Sequence, residues 1–168
     1  DSAGLFVIAG VLGGGDSEVT ETTTNVLLES ANFEFLNNRR TSQVLKLRTE
    51  ASERFGKQID PEGTLQAALR AALLMVENGS GTLEKIAGDL YPRPKETVLL
   101  ELDPFYVERL LGIKISADQI SEILNSLEFK VSGKNILKIT VPSHRMDIRI
   151  PADLVEEIIR IYGYDNLP

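Results

Sequence analysis

Apolar positions in the second half of the chain have the spacing of short strands and amphipathic helices. Residues 98–102 form an apolar strand pattern, and the Asp-Pro pair that follows begins a helix that ends at Gly112. Ser116 and Gln119 have the spacing of a capping box, which predicts the start of a second helix. The apolar positions of this second helix are Ile120, Ile123, Leu124 and Leu127.

Two apolar segments then flank the turn sequence Ser132-Gly133-Lys134-Asn135, which predicts a β-hairpin. A last helix is predicted over residues 151–162, because proline is favoured in the first helical turn and Gly163 follows the last apolar turn. The order of two helices, a hairpin and a helix is typical of a winged-helix-like α+β module. We place this module at residues 95–168.

The first half of the chain has a different pattern, in which apolar segments meet glycines. Residues 5–11 predict a buried strand that enters a glycine turn at residues 13–15. Residues 26–28 predict a second short strand with a carboxylate, Glu29, at its end. A strand as apolar as the first needs neighbours on both sides, so we expect a partial mixed sheet whose other strands lie outside this sequence.

A longer helix is predicted between Asp60, as its N-cap, and Gly79, since the apolar positions between them keep helical spacing. Residues 91–94 (Tyr-Pro-Arg-Pro) form a stiff connector, because each proline removes a backbone donor and restricts the residue before it. We place the first domain at residues 1–92. The predicted fold class of the whole chain is α+β.

Composition narrows the class of protein. The 168 residues are 42% hydrophobic and 26% charged, which is the ordinary range for globular proteins. A net charge of −7 opposes wide non-specific contact with a phosphate backbone. Cysteine is absent, which excludes disulfides and thiolate metal sites. No apolar run approaches the roughly 20 residues that span a bilayer, so we expect no membrane contact. Together with the absence of cysteine, this predicts a cytoplasmic protein.

Several strings of residues carry a resemblance to a known family. In the first half they are residues 8–14 (IAGVLGG), 25–31 (NVLLESA) and 47–55 (LRTEASERF). In the second half they are residues 110–112 (LLG), 141–148 (VPSHRMDI) and 153–166 (DLVEEIIRIYGYDN). In this order and spacing, the chain resembles the β subunit of bacterial phenylalanine–tRNA ligase. The first half is similar to the C-terminal part of its tRNA-editing domain, and the second half to the module that follows it.

The resemblance implies hydrolytic editing of mischarged Tyr-tRNA(Phe). An apolar pocket that selects phenylalanine only weakly rejects tyrosine, which differs by one added hydroxyl. A second site therefore removes tyrosine that has been attached to the tRNA. By resemblance, Glu29 binds the tyrosine hydroxyl and water attacks the ester without a side-chain nucleophile. The implied pocket residues are Gly10, Gly13, Gly14, Glu29, Thr49 and Ala51. Without the resemblance, Glu29 is more simply interpreted as a surface or ion-paired glutamate. The glycines are then a tight turn and Thr49 is a helix cap.

The resemblance also implies a Mg²⁺ site shared with the α subunit, whose ligands are Asp147, Asp153, Glu156 and Glu157. Carboxylate oxygens are the ligands that Mg²⁺ prefers. Spacing places Asp153, Glu156 and Glu157 on one face of the last helix, opposite Leu154, Ile158 and Ile161. The alternative is structural, because Glu156 and Arg160 have the spacing of an i,i+4 ion pair and first-turn acids favour the helix dipole.

The implied whole protein is a class II aminoacyl-tRNA synthetase that acts in protein biosynthesis. It is expected to be an α2β2 heterotetramer that binds tRNA(Phe), with ATP bound outside this chain, and this segment alone is expected to be inactive in aminoacylation. Two alternatives stay open, namely a non-catalytic scaffold and a nucleic-acid-binding winged helix. The predicted second helix carries Asp118 and Glu122 and no basic residue, which argues against insertion into a DNA groove. The single histidine, His144, is interpreted as structural.

Overall fold

The computed structural model describes residues 7–84 and 88–168. The chain divides into two compact units, Asp1–Pro92 and Arg93–Pro168, and each is treated below by itself. Helices in both units and an antiparallel sheet in the second unit confirm the α+β class. Among the described residues, no helix has both the length and the apolar character needed to cross a membrane.

The described residues of unit 1 form three α-helices: α1 (Phe35–Leu45), α2 (Glu50–Phe55) and α3 (Gly63–Gly79). The sequence pattern did not predict α1. This helix begins after Glu34, whose carboxylate accepts hydrogen bonds from the backbone N–H groups of Leu36 (3.1 Å) and Asn37 (2.6 Å). Such bonds satisfy backbone donors that have no partner within the helix, which is why it starts there.

The two strands predicted in unit 1 are wrong within the described residues. Leu5 and Phe6 lie outside the described ranges, while Ile8 and Leu12 form an isolated antiparallel bridge across a tight turn. Residues 26–28 have no regular structure, and the side chain of Leu27 is 94% exposed. A strand needs a neighbour for its backbone N–H and C=O groups. The described part of unit 1 offers these segments no such neighbour.

Helix α3 confirms the predicted helix but begins later than predicted. Its N-cap is Glu62 and not Asp60. The Asp60 carboxylate instead accepts a hydrogen bond from the Glu62 backbone N–H at 3.2 Å, so it acts in the turn before the helix. The apolar positions of α3 are largely exposed, with Leu65 at 55% and Leu69 at 60%.

Unit 2 contains a three-stranded antiparallel sheet in its described residues, formed by β1 (Leu99–Leu102), β2 (Lys130–Ser132) and β3 (Leu137–Thr140). The strand order is β1-β3-β2, with Leu100 opposite Ile139 and Val131 opposite the same residue. The hairpin between β2 and β3 confirms the prediction.

Three helices of unit 2 also agree with the prediction: α4 (Pro104–Leu111), α5 (Ala117–Ser126) and α6 (Pro151–Tyr162). Asp103 caps α4, and Ser116 with Gln119 forms the predicted capping box of α5. Helix α6 packs against α4, α5 and β1. The core of unit 2 between these elements consists of Leu102, Val107, Ile115, Ile120, Leu124, Phe129, Leu137, Ile139, Val141, Ile148, Leu154, Val155 and Ile158.

The orientation of α6 corrects part of the sequence analysis. Leu154 and Ile158 are fully buried as predicted, but Ile161 is 44% exposed. Glu157, assigned to the polar face, is only 8% exposed. The buried stripe instead includes Val155. Because α6 is covered by elements on several sides, its buried face is wider than the narrow stripe that spacing alone suggests.

Candidate functional site

A surface depression of about 230 Å³ lies in unit 1, beside the tight turn at residues 8–12 and the first residues of α2. Four of the six predicted editing residues line it: Gly10, Gly13, Glu29 and Ala51. These residues come from three separate segments of the sequence. The remaining wall is apolar and includes the rings of Phe33 and Phe55, which meet edge to face with centroids 4.8 Å apart.

Gly10 is required by the shape of the turn. Its φ is +70°, a conformation that residues with a Cβ rarely adopt. A Cβ at this position would lie 2.2 Å from Asn38 Nδ2 and 2.8 Å from a ring carbon of Phe33. The turn itself is closed by hydrogen bonds between the backbone groups of Ile8 and Leu12, at 2.9 and 3.0 Å. Gly10 therefore permits both the turn and its close approach to α1.

Thr49 holds α2 against this turn. Its hydroxyl donates to the backbone oxygen of Val11 at 2.5 Å and accepts a hydrogen bond from the Ser52 backbone N–H at 3.1 Å. The Ser52 hydroxyl accepts in turn from the Thr49 backbone N–H at 2.9 Å, which completes a capping box. Thr49 is thus a helix cap that positions Ala51, and it does not line the depression itself.

Glu29 lies on the depression but not in the environment that the sequence predicted. It is exposed and lies in an irregular segment, where the prediction was a partly buried acid at the end of a strand. Within the described ranges, its carboxylate has no ion pair and no hydrogen bond to protein. Gly14 is near the same turn but outside the lining residues.

Asn38 is a residue that the sequence analysis missed. It is 4% exposed and its Nδ2 donates to the backbone oxygen of Ala9 at 3.2 Å, beneath the turn that carries Gly10. Its Oδ1 has no hydrogen-bond partner among the residues that the structure describes. No local signal pointed to Asn38, because it lies in α1, whose polar sequence did not predict a helix.

The four predicted magnesium ligands of unit 2 are placed differently from one another. Arg145 lies between two of them: its guanidinium donates to both carboxylate oxygens of Asp147, at 3.0 and 2.6 Å, and to Glu157 at 3.0 Å. Arg160 donates to Glu157 at 2.5 Å. The predicted Glu156–Arg160 pair is therefore replaced by an i,i+3 pair between Arg160 and Glu157, because Glu157 faces the protein and Glu156 faces solvent.

This geometry changes the acid strength of the two carboxylates. Hydrogen bonds from Arg145 hold the pKa of Asp147 below its usual value. They lower the pKa of Glu157 in the same way, against the opposing effect of burial. The pKa of Arg145 is raised by its bonds to Asp147 and then to Glu157. The three groups are therefore charged together at neutral pH.

The remaining two carboxylates do not join this group. Asp153 Oδ2 accepts hydrogen bonds from the backbone N–H groups of Arg149 and Ile150, at 2.7 and 2.9 Å, and so caps α6. Among the described residues, no group of three or more acidic or histidine side chains is arranged to hold a metal ion. The four carboxylates of this chain therefore do not form a Mg²⁺ site by themselves, and a magnesium site shared with an α subunit stays a prediction.

His144 lies beside this ion-pair group. Its Nε2 is 3.8 Å from a carboxylate oxygen of Glu128, and its side chain is 51% exposed. His144 belongs to unit 2.

Two protein-family models match the chain and identify its class of protein. Residues 1–80 match the model of the B3/4 domain, and residues 100–164 match that of the tRNA synthetase B5 domain. The second half of the chain therefore contains a domain of the tRNA synthetase class.

Individual relatives define the family. The chain is 43% identical to the phenylalanine–tRNA ligase β subunit of Moorella thermoacetica over 100% of its length, and 44% identical to that of Geobacter metallireducens over 96%. An N-terminal fragment of the phenylalanyl-tRNA synthetase β-subunit from Pyrococcus horikoshii matches 44% of this chain and 21% of its own, at 24% identity and a TM-score of 0.39. The chain belongs to the phenylalanine–tRNA ligase β subunit family. It spans about a fifth of the length of the relatives named here.

Proposed function

We propose that this chain is the part of a phenylalanine–tRNA ligase β subunit that removes tyrosine from mischarged tRNA(Phe). The observation that supports this most is the depression of unit 1. Gly10, Gly13, Glu29 and Ala51, which the family resemblance assigned to one pocket, line one depression although they lie in three segments of the sequence.

The chemistry of this depression suits an aminoacyl ester. The wall formed by Phe33 and Phe55 can contact an aromatic ring, and Ala51 leaves space beside it. The Glu29 carboxylate is an ionisable acceptor, and a hydroxyl that donates to a charged acceptor forms a strong hydrogen bond. Phenylalanine has no such hydroxyl, so it would leave the carboxylate without this bond.

The reaction is proposed as transfer of the aminoacyl group to water. Catalysis is proposed to come from holding the ester and a water molecule in a reactive arrangement, without a side-chain nucleophile from the lining residues.

Unit 2 is proposed to support assembly with an α subunit in an α2β2 enzyme, in which ATP binds outside this chain. Unit 2 exposes several large apolar side chains: Leu99 at 72%, Phe105 at 66% and Leu110 at 54%. Exposed apolar side chains favour contact with other protein surface. The acidic helix α5, with Asp118 and Glu122 exposed, argues against the alternative of a DNA-binding winged helix.

Deacylation of Tyr-tRNA(Phe) by the full-length β subunit, purified with its partners, tests the editing proposal. Glu29→Ala should lower kcat/KM for Tyr-tRNA(Phe) at least about tenfold, the loss expected for a charged hydrogen bond of about 1.4 kcal/mol or more. Glu29→Gln should lose less, because its amide oxygen still accepts a hydrogen bond. Glu21→Ala, an exposed glutamate that does not line the depression, is the matched control.

Phe-tRNA(Phe) measured in parallel reports on selectivity. If Glu29→Ala hydrolyses Tyr-tRNA(Phe) as fast and as selectively as the wild type, Glu29 does not bind the tyrosine hydroxyl. If the wild type itself does not hydrolyse Tyr-tRNA(Phe) faster than Phe-tRNA(Phe), the editing proposal is wrong and a scaffold role is favoured.

A further inference from the structure

We infer that the Arg145 guanidinium is the resident counter-cation of Asp147 and Glu157, and that Arg145 and a divalent cation exclude each other at these two carboxylates. The inference is independent of the editing proposal, since it concerns only unit 2.

Arg145 already bonds the carboxylate oxygens that a metal ion would need. Arg145 donates to both oxygens of Asp147 and to Glu157, all within 3.0 Å. A bidentate guanidinium of this kind occupies one of the two lone-pair directions on each Asp147 oxygen, and these are the directions that a metal ion bound by both oxygens would need. Mg²⁺ requires near-octahedral oxygen ligands at about 2.0–2.1 Å. Both cations cannot use the same oxygen directions at once.

Packing holds the Arg145 side chain in place. Its side chain is only 18% exposed, and its guanidinium carbon lies over the Phe129 ring, 5.6 Å from the ring centroid. Phe129 is itself a core residue of unit 2. A cation–π contact and three hydrogen bonds therefore hold the guanidinium between the two carboxylates.

The charge of Arg145 would repel a divalent cation at this position. A divalent ion next to Asp147 and Glu157 would lie within a few ångströms of a guanidinium that carries a full positive charge. Two like charges at this separation repel strongly where water is partly excluded, and Glu157 is only 8% exposed. Arg160, which also bonds Glu157, adds to the positive charge.

Counting bound Mn²⁺ by electron paramagnetic resonance, in the full-length β subunit purified with its partners, tests this inference. Asp147→Asn is the first variant, because the Asp147 side chain is 62% exposed and its replacement leaves the core intact. Arg145→Met is the second, since it removes the charge and keeps an apolar chain over Phe129. Arg109→Met is the control, because Arg109 is an exposed arginine of the same unit that lies over Tyr106 at 5.3 Å.

If Arg145 is the counter-cation, Asp147→Asn leaves the number of bound Mn²⁺ ions unchanged. Arg145→Met then binds an additional Mn²⁺ ion at least about tenfold more tightly than the wild type, whereas Arg109→Met does not. A wild-type Mn²⁺ ion that disappears in Asp147→Asn would show that the metal is resident, and would overturn the inference. The same holds if Arg145→Met gains no Mn²⁺ binding while unit 2 stays folded, which is shown by α6 amides that still exchange far more slowly than in the urea-unfolded protein.

Discussion

Replacement of Arg145 by methionine should destabilise unit 2 by about 2 kcal/mol at neutral pH. Removing one partner of a buried ion pair costs about 3–5 kcal/mol, because the other charge is left without compensation. Two features of this site reduce that cost. The Asp147 side chain is 62% exposed and regains water, and Glu157 keeps its bond to Arg160. What is lost is chiefly the hydrogen bond from Arg145 to Glu157 and the cation–π part of the contact with Phe129.

The pH dependence of this cost follows from the direction of the pKa shifts. Arg145 lowers the pKa of Asp147 from 3.8 and that of Glu157 from 4.5. A carboxyl whose pKa is lower in the folded state stabilises the fold fully above its unfolded pKa, and this stabilisation is lost as the pH falls through the folded pKa. The cost of Arg145→Met should therefore be constant between about pH 7 and 5.5 and shrink as the pH falls below 4.5.

Urea unfolding of the whole chain between pH 7 and 3 measures this cost. Hydrogen exchange of the α6 amides assigns the loss to unit 2. The control is Arg109→Met, which removes an exposed arginine and should change the free energy of unfolding by less than about 0.5 kcal/mol. The reasoning is refuted if Arg145→Met costs no more than this control, or if its cost is as large at pH 3 as at pH 7.

Two further predictions concern the packing of unit 2, and urea unfolding with exchange of the unit 2 amides checks both. Leu102→Ala should lower the free energy of unfolding by about 2–5 kcal/mol because Leu102 is fully buried. Leu99 lies in the same strand but is 72% exposed, so Leu99→Ala should lower it by less than about 1 kcal/mol. Equal losses would contradict the described core. Gly112→Ala should lower the free energy of unfolding by about 1–2 kcal/mol because of its φ of +73° alone. Gly133→Ala should lower it by more, since the added Cβ would lie 2.3 Å from the backbone oxygen of Ile136. A smaller cost at Gly133 than at Gly112 would show that the hairpin turn relaxes.

Local sequence rules predicted unit 2 well because its elements carry their own start and stop signals. Asp103 before a proline, and Ser116 three residues before Gln119, satisfy backbone donors at helix starts. Gly133, with its φ of +92°, gives the hairpin a turn that other residues rarely adopt. Each of these signals acts over a few residues, so it can be identified without knowledge of the rest of the fold.

The same rules failed where the outcome depends on distant residues. Residues 26–28 have the composition of a strand, but composition cannot supply the neighbouring strand that a sheet needs. Helix α1 was missed because its cap, Glu34, is not among the residues that usually cap helices and its sequence is mostly polar. In the first case the missing information is a contact with another strand, and in the second it is a local cap that general preferences rank low.

The two candidate sites also show which features local sequence signals can predict and which depend on distant residues. Resemblance brought together Gly10, Glu29 and Ala51, which no periodicity connects, and the structure places them around one depression. Spacing on α6 could not decide which of two adjacent glutamates faces the protein. That choice depends on Arg145, which comes from the loop before the helix and bonds Glu157. A side chain outside the helix therefore determines what the helical carboxylates can do.

Helix α3 shows why apolar spacing and burial must be separated. Its 17 residues exceed the length of about 12–15 residues below which isolated helices are marginal in water, but most helical stability in proteins comes from packing of an apolar face. None of them is buried, and the exposed side chains include Leu65, Leu69 and Leu73. Full burial of a leucine contributes about 1.5–3 kcal/mol. Helix α3 therefore contributes little burial energy within unit 1, whereas unit 2 buries an apolar core within its own fold.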